Sequence, residues 1–346
     1  MVKVGVIGCG KIAITRHLPE YASNPDVEIA GVYDFNLERA KEVAEQYQTR
    51  AYESVEEMLN DPQIEAVSVC VRNSDHSKVT VDALRAGKHV LCEKPMAVSL
   101  DECKEMVKTA EKTGKKLMIG HNQRFNRTHM KAKELIKNGA IGKVLSFKTT
   151  FGHGGPETWT VDKKNVWFFD KRFSAFGAMA DLGVHKTDLL IFLLETKVKK
   201  VTAVLKTLDK KDAEGNLINV DDNAICIYEM ENGAVGTMTA SWTYYGEEDN
   251  STIIYGSEGI LKIYDDPNYS IVRIGKDGTK IYYELDKMQT NDNQTKSGII
   301  DSWVAAIKND TVPEVNGKDA LDAMKAIFAA LESSESGQTV EITEED

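Results

Sequence analysis

The chain has 346 residues, 42% hydrophobic and 28% charged, which excludes a disordered or fibrous protein and, at roughly 150 residues per domain, points to two domains. Its 43 Lys and Arg against 54 Asp and Glu give a formal charge of −11, which makes nucleic acid or an anionic membrane surface a poor partner. With no apolar run near the roughly 18 to 20 residues of a spanning helix, and a start that enters a strand pattern rather than a signal peptide, the sequence predicts a cytoplasmic protein.

An apolar run at 2–7 ends in Gly8-Cys9-Gly10-Lys11-Ile12-Ala13, and a helical pattern follows to Tyr21, the order strand, glycine turn, helix. A second strand at 27–33 closes on Asp34, and a polar helix follows over 36–48. The rhythm repeats with strands at 66–71, 89–92 and 117–119 and helices at 76–86 and 100–113. Strands alternating with helices imply βαβ units, hence a parallel sheet with helices on both faces. This is an α/β domain over 1–120.

The second domain, 121–346, has a different texture. A helix at 126–137, a strand at 143–151, a glycine-bearing aromatic loop at 151–177 and a helix at 178–194 lead into short alternating strands over 199–285. Turns such as Glu231-Asn232-Gly233, Ser257-Glu258-Gly259 and Lys276-Asp277-Gly278 separate these strands and predict a mainly antiparallel sheet. Helices at 293–308 and 318–334, expected to pack back on the first domain, a strand at 339–342 and a frayed tail at 344–346 complete the chain. The five scattered cysteines (Cys9, Cys70, Cys92, Cys103, Cys226) form no CxxC pair and read as reduced, packed thiols, with neither disulfides nor zinc.

Gly8-x-Gly10-x-x-Ala13 supplies what a dinucleotide pyrophosphate needs: a tight turn, bare backbone for close approach, and a small residue where helix meets strand. The helix it opens, through Lys11 and Ile12, would face its amides to the phosphates. Asp34 follows 21 residues after Ala13, where a carboxylate takes both ribose hydroxyls and repels a 2′-phosphate. NAD is therefore expected over NADP. Arg39 reads either as a solvated helix face or as a group able to swing to a 2′-phosphate.

Glu93-Lys94-Pro95 follows the strand at 89–92, at the sheet's carboxyl edge, where a lysine would point into the cleft; Glu93 and Lys94, like Asn73 and His76, are expected to contact the cofactor. Asn73-Ser-Asp-His76 opens a helix beneath the expected cofactor, with Asn73 also read as its cap. In Asp181-Leu-Gly-Val-His185-Lys-Thr-Asp188 the two aspartates and the histidine share a helix face at i, i+4 and i+7. A histidine beside a carboxylate is a tuned acid and base. A metal site is the rival reading; without a Cys partner or an HExxH pattern, no metal is expected.

Taken in order, Gly8-x-Gly10-x-x-Ala13, Asp34, Asn73-x-x-His76, Glu93-Lys94-Pro95, Gly120-x-x-x-Arg124-Phe125 and Asp181-x-Gly183-x-His185-x-x-Asp188 make the chain resemble the Gfo/Idh/MocA family of glucose-fructose oxidoreductases and inositol dehydrogenases. The resemblance covers essentially the whole chain. It implies a Rossmann domain followed by an α+β domain with a large open sheet that forms a homodimer or homotetramer. It also implies NAD(P)-dependent hydride transfer at a secondary alcohol of a sugar, polyol or cyclitol. Lys94 would hold the reacting hydroxyl, His185 would shuttle its proton, and Asp181 would orient His185 or bind substrate. Arg124, His153, Trp167 and Arg172 are carried as further substrate contacts. The chain departs from the family in one place, where Ser174-Ala175-Phe176-Gly177 replaces a run of glycines.

Two other activities share these motifs. An NAD-dependent glycosidase would oxidise a sugar transiently and release an aglycone without net NADH. A sugar- or NAD-sensing protein would bind without turnover, although it would have no use for Lys94, Asp181 and His185 together.

Overall fold

The computed structural model describes residues 1–161, 166–287 and 296–343. By internal packing the chain divides into two compact units. Unit 1 takes Met1–Asn122, Trp159–Asp162 and Asn291–Leu321; unit 2 takes Gln123–Thr158, Lys163–Thr290 and Asp322–Asp346.

Unit 1 runs β1 (Val2–Ile7), a π-helical turn (Ala13–His17) continuing into α1 (Leu18–Ser23), β2 (Val27–Tyr33), α2 (Leu37–Gln46), β3 (Arg50–Ala51), α3 (Val55–Asn60), β4 (Ala66–Val69), α4 (Asn73–Arg85), β5 (His89–Cys92), α5 (Leu100–Thr113) and β6 (Leu117–Ile119). The strands pair in parallel in the order β3-β2-β1-β4-β5-β6. The order reverses between β1 and β4, the switch point where open α/β sheets bind ligands. Val4, Val6 and Ile7 of β1 and all of β4 are buried, as continuous apolar strands covered on both faces should be. Side-chain caps from Asn36, Ser54 and Ser99 start α2, α3 and α5. Helix α9 (Ile299–Lys308) also lies in this unit, with Trp303 fully buried.

Unit 2 opens with α6 (Arg127–Lys137), β7 (Val144–Gly152) and the short α7 (Lys171–Ser174). A π-helical turn (Met179–Gly183) then runs into α8 (Val184–Leu194). Strands β8 (Val198–Lys206), β9 (Asn223–Met230), β10 (Val235–Ser241), β11 (Thr252–Gly256), β12 (Gly259–Ile263), β13 (Ile271–Gly275) and β14 (Lys280–Tyr283) follow, and after α10 (Gly317–Ser336) comes β15 (Val340–Glu341). They form one nine-stranded sheet in the order β14-β13-β12-β11-β7-β10-β9-β8-β15. Helix α8 is largely buried, its polar residues included; Thr187 shares a 3.0 Å hydroxyl contact with Tyr228 of β9. On the opposite face Val204, Ile225, Ile227, Val235 and Tyr255 are exposed.

The fold class is the expected one, with four local corrections. The expected helix after the glycine turn starts as a π-helical turn, as does the one expected at 178–194. β3 and α3 fill the 50–60 stretch that periodicity left unassigned. β7 and β10 pair in parallel, because α8, β8 and β9 intervene between them. The last is α9, which begins at Ile299 rather than 293; positions 293–295 and the tail 344–346 lie outside the described residues. No helix among the described residues is long and apolar enough to cross a membrane.

Candidate active site

At the end of β1, Gly8 has φ +98°, and a Cβ there would lie 2.4 Å from the Cys70 carbonyl oxygen. Only glycine fits this turn. A Cβ at Gly10 would meet open space, so the backbone is accessible there. The Ile14 N–H donates to the Gly10 carbonyl, so the amides of Lys11 and Ile12 precede the first helical hydrogen bond. Ala13 is fully buried, as the close helix-to-strand contact requires. Burial and the Asp34 charge push the Cys9 thiol up to about 12, making it a packing group.

Asp34 accepts from the Cys9 N–H and the Asn36 N–H, both at 2.8 Å, through different oxygens. Its carboxylate is thus fixed at the tip of β2, with lone pairs to spare for a ribose diol. Arg39 is not a solvated helix residue: its guanidinium lies 3.8 Å from Asp34 and is mostly covered. Arg72 packs over the exposed Phe35 ring at 5.1 Å. An open glycine backbone, a helix start and an anchored carboxylate together fit a dinucleotide.

Asn73 is not the cap of α4. Arg72 holds that position without a side-chain bond, and Asn73 is the first helical residue, buried. His76 presents Nδ1 to the Pro95 carbonyl at 2.7 Å and Nε2 to the Val71 carbonyl at 3.2 Å. Burial pushes its pKa below the usual imidazole value, against the two carbonyls and the Glu93 charge. The ring therefore holds the Lys94-Pro95 turn, whose peptide bond is cis. Glu93 is buried, accepts from His17 Nε2 at 2.9 Å and from the Lys94 N–H at 3.2 Å, and has Arg16 at 3.7 Å. Burial favours its neutral form, yet the His17 hydrogen bond and the Arg16 and Lys94 cations hold the carboxyl down at about 2.

In unit 2, Asp181 sits in the π-helical turn and His185 in the first turn of α8, both buried. Asp221 starts this helix, accepting from the Gly177 N–H at 2.7 Å and the Met179 N–H at 2.8 Å. Burial pushes Asp221 up to about 6 against those two donors. A Cβ at Gly177 would come within 1.9 Å of the Asp221 carbonyl oxygen, so this one glycine is sterically required, whereas Ala175 adopts φ +65° with a side chain. Trp242 donates its indole N–H to Asp181 Oδ2 at 3.1 Å. The His185 ring lies 6.0 Å from Phe151.

Asp188 is engaged elsewhere than Asp181 and His185. It takes two hydrogen bonds from Arg124, 2.8 Å from Nε and 2.5 Å from Nη2, both residues buried. Arg124 is thereby committed to α8. Of the other expected substrate contacts, His153 Nδ1 accepts from the Gly155 N–H at 2.9 Å, Trp167 stacks on Phe168 at 3.8 Å, and the exposed Arg172 pairs with Asp170. Phe168 and Phe169 both pack on Trp242, which brings the aromatic loop to Asp181's partner.

Sequence reasoning missed Trp242, Asp221, His17 and Lys186. Lys186 is fully buried, donating to the Asn250 carbonyl at 2.9 Å and to Thr252 Oγ1 at 3.3 Å. Burial, partly offset by Asp249 and Glu248, pushes its ammonium down to about 7. Its place directly after His185 was legible; that it points into the sheet was not.

Residues 2–121 match the model of an oxidoreductase family with an NAD-binding Rossmann fold, and residues 129–262 match the GFO/IDH/MocA C-terminal domain. The protein is thus an NAD(P)-dependent oxidoreductase of the dehydrogenase type. The chain belongs to the GFO/IDH/MocA family. It is 26% identical over 348 residues to myo-inositol 2-dehydrogenase of Thermotoga maritima, covering 99% of each chain. It is 32% identical over 235 residues to glucose-6-phosphate 3-dehydrogenase of Bacillus subtilis, covering 67% of this chain and 65% of that one. Among solved structures, aldose-aldose oxidoreductase from Caulobacter crescentus superposes with a TM-score of 0.83 at 25% identity, over 98% of this chain and 99% of that one.

Proposed function

We propose that the protein oxidises or reduces a secondary alcohol of a sugar, polyol or cyclitol, using NAD in preference to NADP. Unit 1 is assigned the cofactor and unit 2 the substrate. The relatives named for inositol and glucose-6-phosphate oxidation support the substrate class. The NAD preference rests on Asp34, whose fixed carboxylate disfavours a 2′-phosphate.

The observation that carries the chemistry is the buried Trp242–Asp181 hydrogen bond four residues before His185. It holds a carboxylate ready to orient the imidazole and stabilise it when protonated. In the oxidation direction His185 takes the hydroxyl proton, and the Lys94 ammonium stands against the charge developing on oxygen. A nicotinamide held by unit 1 would supply the acceptor for the hydride leaving the carbinol carbon. Glycine backbone at Gly8 and Gly10 with the amides of Lys11 and Ile12 holds the pyrophosphate, Ala13 lets the helix approach, and Asn73, His76 and Glu93 shape the turn carrying Lys94.

Aromatic faces suit sugar C–H surfaces, so Trp167 with Phe168 and Phe169 is assigned to the substrate, with His153 and Arg172 in the same loop, while Arg124 holds α8 through Asp188. The exposed apolar face of the nine-stranded sheet is assigned to contact between copies, a homodimer or homotetramer. The buried free thiols suit a cytoplasmic setting. The test is NADH formation across a panel of sugars and cyclitols in wild type, Lys94→Ala and His185→Ala. Undiminished turnover in either variant overturns its assigned role.

A further inference from the structure

Behind Lys94 lies a chain of buried side chains drawn from four segments of unit 1. Tyr21 Oη is 2.7 Å from Ser68 Oγ, Ser68 Oγ is 3.0 Å from His17 Nδ1, and His17 Nε2 is 2.9 Å from Glu93 Oε1. Glu93 Oε2 then accepts the Lys94 N–H at 3.2 Å. Tyr21, Ser68, His17 and Glu93 are all at least 95% buried. Gly120 leaves the carboxylate its room, since a Cβ there would lie 2.9 Å from Glu93 Oε2.

The direction of this chain follows from what each group is able to do. An ionised carboxylate only accepts, so His17 Nε2 carries the proton. Burial pushes the Tyr21 phenol well above its usual value, so Tyr21 remains a donor. If Tyr21 donates to Ser68 and Ser68 donates to Nδ1, every polar hydrogen in the chain is used. With Nδ1 protonated, Ser68 accepts from the ring and donates to Tyr21 instead; in either arrangement Nε2 donates to Glu93.

From this geometry we infer that His17 is a positioning residue for Lys94: Tyr21 and Ser68 hold the Nδ1 edge of its ring, and its Nε2 fixes Glu93, which holds the backbone at Lys94. The inference rests on the catalytic role assigned to Lys94, and it predicts a graded effect. Tyr21→Phe disturbs only the far end, Ser68→Ala removes the contact at Nδ1, and His17→Leu removes the donor to Glu93. His17→Gln still offers an N–H where Nε2 lies.

The charged and titratable groups facing Glu93 are Arg16 and His17 from the first helical stretch, Cys70 after β4, His76 from α4, and Cys92 and Lys94 of its own segment. Without His17, burial acts on Glu93 with fewer opposing donors, and its carboxyl titrates at a higher pH.

The experiment compares kcat, NAD affinity and the pH profile of wild type, His17→Leu, His17→Gln and Ser68→Ala, using NAD and the polyol that wild type oxidises best. For His17→Leu we expect kcat to fall about tenfold or more, NAD affinity to change less than about twofold, and the acid limb to move to higher pH than in wild type; His17→Gln should recover to within about threefold of wild type. Equal loss in the Leu and Gln variants, or an unchanged pH profile in the Leu variant, overturns the inference, because a merely structural role would give that result. Lys94→Ala in parallel separates the two failures: full turnover there refutes the Lys94 assignment. The tautomer itself is read without activity, by 15N-histidine NMR of the full chain. Protonated Nε2 is expected, and a bare Nε2 overturns the chain even where His17→Leu fails to fold.

Discussion

Trp242 and Asp181 lie 61 residues apart in the chain, yet the indole N–H of one meets the carboxylate of the other at 3.1 Å in a buried setting. A hydrogen bond to an ionised group out of water contributes about 1.5 to 3 kcal/mol. Trp242→Phe keeps most of the ring and deletes that donor. We expect kcat for polyol oxidation to drop roughly tenfold with NAD affinity unchanged. Steady-state kinetics with separate NAD titration checks this, and an equal loss in both would mean that Trp242 only packs.

The proposed NAD preference rests on Asp34, with Arg39 beside it. Removing the carboxylate with Asp34→Ser eliminates the repulsion of a 2′-phosphate and releases the Arg39 guanidinium, now 3.8 Å from it. The ratio of kcat/KM for NADP over NAD should rise by about tenfold or more. In the Asp34→Ser, Arg39→Ala double variant much of that gain should vanish. Kinetics with both cofactors decides it.

The Arg124–Asp188 pair is a structural element of unit 2. Breaking a buried ion pair from one side leaves an uncompensated charge and costs about 3 to 5 kcal/mol, whereas replacing both partners by apolar groups is often neutral. Urea denaturation should therefore rank Arg124→Met and Asp188→Leu as strongly destabilised and the double variant as recovered. A double variant as weak as the singles would contradict the assignment.

Ala175 sits at φ +65°, in the segment where the family resemblance leads one to expect glycines. A side chain there carries about 1 to 3 kcal/mol of backbone strain. Ala175→Gly should raise stability by roughly 1 kcal/mol, since the more flexible unfolded glycine takes back part of the gain. Thermal unfolding measures it.

Lys186 gives the fold a pH signature. Its ammonium titrates near 7 in the folded protein against 10.5 normally, so between those values the unfolded chain holds the extra proton and stability rises with pH. The slope from this one group approaches about 1.4 kcal/mol per pH unit. It is absent below pH 7 and complete above the unfolded value. Subtracting the profile of Lys186→Met from that of wild type should isolate this rise, and a flat difference would show that Lys186 stays charged.

Much of the fold was legible because its signals are local. A glycine turn between a strand and a helix, an aspartate at the next strand end and Glu-Lys-Pro at another are set by neighbours along the chain. The α/β rhythm and the antiparallel turns, including Gly233 and Gly278 at positive φ, follow from the same short-range rules. Partners that arise only on folding were not legible. Asp188 shares a helical spacing with Asp181 and His185 but is claimed by Arg124, and Arg39 reads as a solvent face but lies over Asp34. Nothing near Trp242 or His17 in sequence marks them, since each acts on a residue more than 60 positions away. The parallel pairing of β7 and β10 is equally a long-range event, invisible to turn chemistry.

The most direct test of the account follows NADH absorbance as NAD and a panel of sugars and cyclitols are mixed with wild type and with His185→Ala, NAD binding being measured separately by fluorescence. We expect at least one polyol to reduce NAD with wild type, and turnover to fall about a hundredfold or more in the variant while NAD binding is retained. NAD bound but reduced by none of the polyols, or equal turnover in the two proteins, would contradict it.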